Sequence, residues 1–153
     1  MDLGVQATEV QAKIANQDRR TSTTSSGVHL GLGARRMLAG GNDIGVRLEL
    51  SHVDSNLLLA VRALDFRINR SERFAIGVFA GAARLDLATP AYGYYLGAGV
   101  QLKNLRPHWD LGIDLRLGDK VARDNLLPSD PQGGSRDNFY DLRGLSIYLS
   151  RRF

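Results

Sequence analysis

Residue types of a hydrolytic site occur in the stretch ELSHVDS, residues 49–55. His52 and Asp54 are two residues apart, so they share one face of an extended segment, and a histidine oriented by a carboxylate is the first half of a catalytic triad. Ser51 lies on the opposite face, however, and Ser55 falls in a tight turn. We therefore expect a non-catalytic histidine here and keep a hydrolase built on His52, Asp54 and Ser55 as an alternative.

The composition gives little support to other catalytic or cofactor chemistry. The chain has no cysteine, which excludes thiolate metal sites and disulfides. His29, His52 and His108 lack the spacing of a metal site, and no predicted helix follows Gly31 and Gly33, as a phosphate-binding loop would require. Twenty Lys and Arg are interspersed with 16 Asp and Glu rather than gathered in a nucleic-acid-binding arm. We expect no cofactor, no metal and no nucleic-acid partner.

Eight segments alternate apolar and polar residues at period two, the pattern of strands with one apolar face. In the second segment, for example, Val28 and Leu30 flank His29. The first segment is the least regular, because Thr8–Glu9 breaks its phase, and the fourth slips near Ala63–Leu64, which predicts a β-bulge. The predicted strands are 2–15, 27–37, 44–53, 57–68, 73–85, 92–103, 108–118 and 139–153.

The predicted connections differ in length at the two ends of the strands. Turn residues mark three short connections on one side, at 38–43, 69–72 and 104–107. On the other side 54–56 is short, and the longer connections are 17–26, 86–91 and 119–138. This asymmetry is typical of transmembrane barrels with short periplasmic turns and longer extracellular loops. The sequence therefore predicts an all-β, eight-stranded antiparallel up-and-down transmembrane β-barrel over residues 1–153, as a single domain.

The glycines indicate which face of these strands points inward. Twelve of the 17 glycines lie on the polar face, where a water-exposed strand would gain nothing from them. In the narrow interior of an eight-stranded barrel, by contrast, glycine makes room for long neighbours. We therefore predict that the apolar face points outward to lipid. A soluble lipocalin-like binding barrel, the alternative, would hide that face.

Charged residues on the polar face predict an ion-paired lumen filled by side chains. Counting across the turns gives the facing pairs Gly33–Arg47, Gly77–Asp65 and Glu49–Arg62. Small residues thus face charged ones, and unlike charges face each other, which stabilises paired strands. The predicted lumen charge network comprises Arg35, Arg47, Glu49, Arg62, Asp65, Arg67, Lys103, Asp110, Asp114 and Arg116.

Aromatic residues fall near both ends of the predicted strands. Those at the short-turn ends are Phe66, Phe74, Trp109 and Phe153. Those at the long-loop ends are Tyr92, Tyr94, Phe139 and Tyr140. Two aromatic belts separated by aliphatic residues are typical of the two interfaces of a membrane barrel.

The final nine residues read LSIYLSRRF, in which Leu145, Ile147 and Leu149 alternate with polar residues before Phe153. With eight strands and unequal loops, this ending resembles the small eight-stranded outer-membrane β-barrels of Gram-negative bacteria, the class of the OmpA transmembrane domain and OmpX. The resemblance implies that Leu145, Ile147, Leu149 and Phe153 form an assembly signal read by the outer-membrane barrel assembly machinery. Arg151 departs from that motif, in which an aromatic or apolar residue is usual.

The resemblance also implies a location in the bacterial outer membrane. We expect a structural or surface-interaction role, such as adhesion or lipopolysaccharide contact, through loops 17–26 and 119–138. The implied partners are the lipid bilayer, lipopolysaccharide and the assembly machinery, and the barrel is expected to be a monomer. A lipid-modifying hydrolase at the outer rim and a narrow pore stay open as alternatives. Residues 1–20 hold no continuous apolar core, so no signal peptide is expected within this chain.

Overall fold

A computed structural model describes residues 1–14, 20–53, 55–86, 90–123 and 138–153. Within these ranges the chain forms strands that account for nearly every described residue. They are β1 (Asp2–Ile14), β2 (Arg20–Met37), β3 (Asp43–Val53), β4 (Asn56–Asn69), β5 (Phe74–Asp86), β6 (Ala91–Arg106), β7 (Trp109–Arg123) and β8 (Asn138–Arg151).

Each strand pairs antiparallel with the next one along the chain. β8 also pairs with β1, with Leu149 facing Leu3, and this pairing closes the sheet into a barrel. A closed barrel leaves no free sheet edge along its circumference. The predicted eight-stranded antiparallel up-and-down barrel is confirmed.

In the described part of the chain, no helix is long and apolar enough to cross a membrane.

Tight turns make the three short connections between strands. Between β2 and β3, the Leu38 N–H donates to the Asn42 carbonyl at 2.7 Å, and Gly41 supplies a left-handed φ of 75°. Between β4 and β5, the Ser71 hydroxyl accepts a hydrogen bond from the Phe74 N–H at 3.0 Å. These turns place both ends of the described chain and all three short connections at one end of the barrel.

The facing pairs counted across the two largest short turns have different outcomes. Gly33 pairs with Arg47, as predicted. The pairing of Gly77 with Asp65 is wrong, since Gly77 pairs with Arg67. The reason is the connection after β4, which spans 70–73 and is centred further along the chain than predicted.

The facing pair of Glu49 with Arg62 is also wrong, because Glu49 pairs with Ala60. β3 and β4 are joined by two residues, 54–55, where three were predicted, so β4 begins one residue earlier and Glu49 faces a residue nearer the turn. The predicted bulge in β4 is confirmed by a shift of register between Arg62 and Leu64.

The loop predicted at 17–26 is wrong for most of its length. Residues from Arg20 onward belong to β2 and pair with β1, so that Ser26 faces Ala7. Threonine is β-branched and favours strands, and the outward side chains of Ser22, Thr24 and Ser26 are exposed. A polar composition therefore marks a strand whose outer face is in water, rather than a loop.

The loop predicted at 119–138 is shorter than expected, because β7 continues to Arg123 and β8 begins at Asn138. Residues 124–137 lie outside the described ranges.

Aliphatic side chains cover the outside of the barrel. Val5, Leu32 and Leu96 expose 64%, 63% and 66% of their surface, and similar residues recur on every strand. An exposed apolar band of this size is unfavourable in water and suits contact with lipid. A soluble lipocalin-like barrel, in which these side chains point inward, therefore does not describe the molecule.

The aromatic residues of the short-turn end, Phe66, Phe74, Trp109 and Phe153, are partly or fully exposed. At the other end, Tyr92 and Tyr94 are exposed. The side chains of Phe139 and Tyr140 lie outside the described ones.

Candidate functional site

The central and short-turn parts of the lumen hold a cluster of ion-paired side chains, called the ionic layer below. Eight of the ten charged residues predicted for the lumen are buried there: Arg47, Glu49, Arg62, Asp65, Arg67, Asp110, Asp114 and Arg116. The other two, Arg35 and Lys103, lie at the short-turn mouth of the barrel. There they line an open cavity of about 550 Å³.

Glu49 is the centre of the ionic layer. Its carboxylate accepts a hydrogen bond from Arg62 Nη2 at 2.5 Å and another from Arg116. Both guanidinium groups also lie over aromatic rings, Arg62 at 3.5 Å from the centroid of Phe79 and Arg116 at 4.7 Å from that of Tyr95. Charge-assisted hydrogen bonds and cation–π contacts are strong where water is excluded.

Three further carboxylates extend the ionic layer toward the short-turn mouth. Arg62 Nη2 lies 2.8 Å from Asp114 Oδ2. Arg47 lies 3.1 Å from Asp2 and 3.6 Å from Asp65. A buried charge is costly unless it is paired, and each of these carboxylates faces at least one guanidinium.

The carboxylates are arranged for ion pairing rather than for metal binding. Among the described residues, no group of three or more His, Asp or Glu side chains is placed to hold a metal ion.

Sequence reasoning missed several members of the ionic layer. Asp2, Gln101 and Tyr148 are buried in it. The Tyr148 hydroxyl donates to Asp114 at 3.2 Å and accepts from Arg67 Nη2 at 3.1 Å, and Arg67 also donates to Gln101. Gln101 and Tyr148 alternate with outward-facing apolar neighbours but carry no charge, and Asp2 lies on the first strand, which contributes no residue to the predicted network.

Glycines make room for the large rings in the lumen. A Cβ on Gly97 would collide with the Phe79 ring, and one on Gly112 would collide with the Tyr148 ring. At these two positions, glycine makes room for a large neighbouring side chain, as predicted for the polar face.

On the long-loop side of the ionic layer, the lumen is filled by apolar side chains, called the apolar layer below. Its members are Val53, Leu58, Ala60, Phe79, Ala83, Leu85, Ala91, Tyr95 and Leu142. Val10 packs against them. This layer was not predicted, because at these strand ends the pattern is reversed: Leu85 points inward, whereas Arg84 and Asp86 are exposed. The two layers together occupy the lumen beyond the open cavity at the short-turn mouth.

The candidate hydrolytic residues are not brought together. His52 is exposed on the outer face. Ser51 is buried in the lumen, where its Oγ lies 3.0 Å from Nδ1 of the buried His29. Ser55 is exposed in the β3–β4 turn with a φ of 63°, and Asp54 lies outside the described residues. Among the described members, no serine is hydrogen-bonded to His52.

The predicted assembly signal lies on the outer face at the end of β8. Leu145, Ile147 and Leu149 point outward and belong to the exposed apolar band of the barrel, and Phe153 is 91% exposed. The Arg151 guanidinium lies 5.8 Å from the centroid of the Trp109 ring and 5.1 Å from that of Phe153. Arg151, which departs from the usual motif, thus lies close to two aromatic rings of the short-turn belt.

No protein-family model matches this sequence, and no curated protein matches it either. Among solved structures, Neisserial surface protein A (NspA) is similar over 99% of this chain and 96% of its own, with a TM-score of 0.56 and 13% identity. A de novo designed transmembrane β-barrel is similar over 98% and 95%, with a TM-score of 0.51 and 14% identity. The fold is that of a small transmembrane β-barrel. At these identities the similarity concerns the fold.

The attachment invasion locus protein Ail of Yersinia pestis, in complex with the heparin analogue sucrose octasulfate, covers 99% of this chain and 98% of its own at a TM-score of 0.40 and 11% identity.

Proposed function

We propose that this protein is a monomeric integral β-barrel of a bacterial outer membrane that acts through contacts at the membrane surface. The observation that carries this proposal is the filled lumen. Among the described residues, the apolar layer and the ionic layer are stacked along the barrel axis, and the open cavity lies at the short-turn mouth; this supports a barrel centre occupied by side chains. What is left for interaction is the outside, and chiefly the loops.

The proposed location follows from the apolar surroundings that suit the outer surface of the barrel. The belt of exposed aliphatic side chains suits lipid, and short periplasmic turns with longer extracellular loops are the arrangement of outer-membrane barrels. In this proposal Leu145, Ile147, Leu149 and Phe153 guide insertion by the barrel assembly machinery.

The proposed contacts lie at the long-loop end. Residues 119–138 contain Lys120, Arg123 and Arg136, and guanidinium and ammonium groups bind phosphate well. The outward Ser22 and Thr24 of β2 add exposed hydroxyl groups at the same end. Lipopolysaccharide, which carries phosphates at the outer surface, is the partner that this chemistry favours.

The variant Lys120→Gln/Arg123→Gln/Arg136→Gln, which removes the three cations, tests this contact. We expect the affinity for purified lipopolysaccharide to fall about tenfold, because loss of one or two charge-assisted contacts is worth roughly 1.4 kcal/mol or more. Binding to immobilised lipopolysaccharide measures the change. Arg70→Gln/Arg73→Gln, at the opposite end of the barrel, is the control and should bind normally. Unchanged affinity of the triple variant would remove these cations from the proposal.

A narrow pore is the main alternative function, and it requires a water path. We expect no steady single-channel conductance in planar bilayers, because an eight-stranded barrel has room only for side chains and both layers are filled. Large, stable conductance that is independent of lipid composition would contradict the filled lumen and favour a pore.

A lipid-modifying hydrolase has less support, because His52 and Ser51 lie on opposite faces of β3.

A further inference from the structure

The short-turn end of the barrel is rich in basic side chains. Here the short-turn rim means residues 35–43, 69–74, 103–110 and 151–153 together with Met1 and Asp2. Its basic residues are Arg35, Arg36, Arg70, Arg73, Lys103, Arg106, Arg151 and Arg152. Its carboxylate side chains are Asp2, Asp43, Glu72 and Asp110, of which Asp2 and Asp110 are buried. Eight cations against four carboxylates leave a local excess of four positive charges.

Most of these cations are free of carboxylate partners. Arg35 is paired with Asp65 at 2.9 Å, and Arg152 with Asp110 at 3.3 Å. The other six form no ion pair with any carboxylate among the residues that the structure describes, and every residue of the short-turn rim is among those described. Unpaired exposed cations at this density attract anions.

Strand pairing places three residues of the short-turn rim side by side: Arg106, Trp109 and Arg151. Trp109, at the start of β7, faces Arg106 of β6 on one side and Arg151 of β8 on the other. Directly facing residues share one face of a sheet, and the neighbouring Leu111 and Leu149 show that this face is the outer one. Neighbouring strands are about 4.8 Å apart, so the two arginine Cα atoms are separated by roughly 10 Å across the indole. Two long side chains can close on one phosphate group over that span.

Arg106, Trp109 and Arg151 lie beside the exposed aliphatic side chains at the level expected for lipid headgroups. Toward the membrane centre, the next set of facing residues on the outer surface is apolar and consists of Leu102, Leu111 and Leu149. Tryptophan favours the membrane–water interface, and arginine binds phosphate through a planar fork of donors. Arg106, Trp109 and Arg151 thus lie in one row just beyond the last aliphatic residues.

We propose that Arg106, Trp109 and Arg151 form a binding site for the phosphate of an anionic phospholipid in the periplasmic leaflet. The site rests on the proposed membrane location only in requiring that the barrel lie in a bilayer. The excess of unpaired cations selects a lipid with net negative charge, such as phosphatidylglycerol, over a zwitterionic one.

A membrane surface fits the short-turn rim better than an acidic protein does. Exposed apolar side chains alternate with the cations at three separate places: Met37 and Leu38 after β2, Leu105 near the end of β6, and Phe153 after β8. They surround an open mouth rather than form one flat patch. A ring of mixed apolar and basic residues matches a plane of acyl chains and headgroups around the barrel.

The chain contains one tryptophan, so the fluorescence of Trp109 reports on this site alone. The full chain is reconstituted in phosphatidylcholine vesicles that contain a minor fraction of brominated lipid. We expect brominated phosphatidylglycerol to quench Trp109 roughly threefold more effectively than brominated phosphatidylcholine at equal mole fraction. Because the attraction is electrostatic, 0.5 M NaCl should lower that ratio toward one.

Arg106→Gln/Arg151→Gln should lower the quenching ratio to about one at low salt. The matched control is Arg70→Gln/Arg73→Gln, which removes the same charge from the same rim away from Trp109 and should keep most of the selectivity. If the double variant at the site fails to insert, the two single variants replace it, each with a partial loss expected.

Four results would overturn the site: equal quenching by both lipids, an unchanged ratio in the site variant, an equal loss in the control variant, or relief of quenching by millimolar inorganic phosphate or by polyglutamate. The last result would point to a free anion or an acidic protein as the ligand. Mobility on SDS gels before and after boiling separates these failures from failure of the proposed membrane location. A protein that never gives a heat-sensitive folded band contradicts the membrane barrel, whereas an inserted protein without lipid selectivity contradicts only the lipid site.

Discussion

Replacing Glu49 with glutamine is expected to destabilise the barrel by about 3–5 kcal/mol, because it leaves buried cations without their shared anion. The Glu49 side chain is fully buried, and its carboxylate joins Arg62 to Arg116. Glutamine keeps the shape of the side chain but places a neutral amide against both guanidinium groups. Arg62 retains Asp114 as a partner, whereas Arg116 has no second carboxylate within 4.0 Å among the described residues.

Equilibrium unfolding in urea, with the protein in lipid vesicles and Trp109 fluorescence as the signal, measures this loss. Glu72→Gln is the matched control, since Glu72 is exposed in the β4–β5 turn and should change stability by less than about 0.5 kcal/mol. Arg116→Met completes a double-mutant cycle with Glu49→Gln. The double variant should lose less than the sum of the single losses, because it removes the orphaned cation with its anion.

Equal effects of Glu49→Gln and Glu72→Gln would show that lumen water screens the ionic layer. That result would contradict a water-excluding packed lumen and would restore the pore as a candidate function.

Much of the barrel follows from the period-two pattern alone, because the side-chain period of a strand assigns each residue to a face. Arg47, Glu49 and Asp114 could be placed in the lumen from sequence for this reason. Their partners could not be assigned in the same way. The register depends on the length and centre of each turn, and with a connection of two residues instead of three Glu49 faces Ala60 rather than Arg62. The hydrogen bond from Arg62 to Glu49 forms nonetheless, because a long guanidinium stem reaches a diagonal neighbour.

The apolar layer shows where a rule of constant polarity along each strand fails. In β1, Val5 points outward, whereas Val10 packs inside against the apolar layer and Glu9 lies on the outer face. The phase break noted at Thr8–Glu9 is therefore a change of surroundings within one continuous strand. A strand that leaves the lipid meets water outside, so its outer face becomes polar and its inner face becomes apolar. The polar segment of β2 that was predicted as a loop has the same origin.

Deleting Phe153 is expected to have unequal consequences in cells and in the test tube. The ring is 91% exposed, so its loss should cost well under the roughly 1.5–3 kcal/mol of a buried phenylalanine. The backbone pairing at this end survives the deletion, because the Arg152 N–H donates to the His108 carbonyl at 2.9 Å. Refolding into detergent or lipid vesicles should therefore be nearly normal.

Insertion in cells should fall sharply for a chain that ends at Arg152, because the proposed assembly signal loses its terminal aromatic while the fold loses little. Arg151→Tyr, in a chain that ends at Phe153, should act in the opposite direction and raise insertion, since it supplies the aromatic that the motif favours. Pulse-labelling, scored by the fraction of protein in the folded, SDS-resistant band, measures both variants. Leu117→Ala is the control for lost outer-face contact on the neighbouring strand β7.

Parallel losses in cells and in vitro would make Phe153 a stability residue. Normal insertion of the shortened chain would remove Phe153 from the signal and weaken the case for an outer-membrane location, because an exposed aromatic at this position would then be explained by neither packing nor recognition.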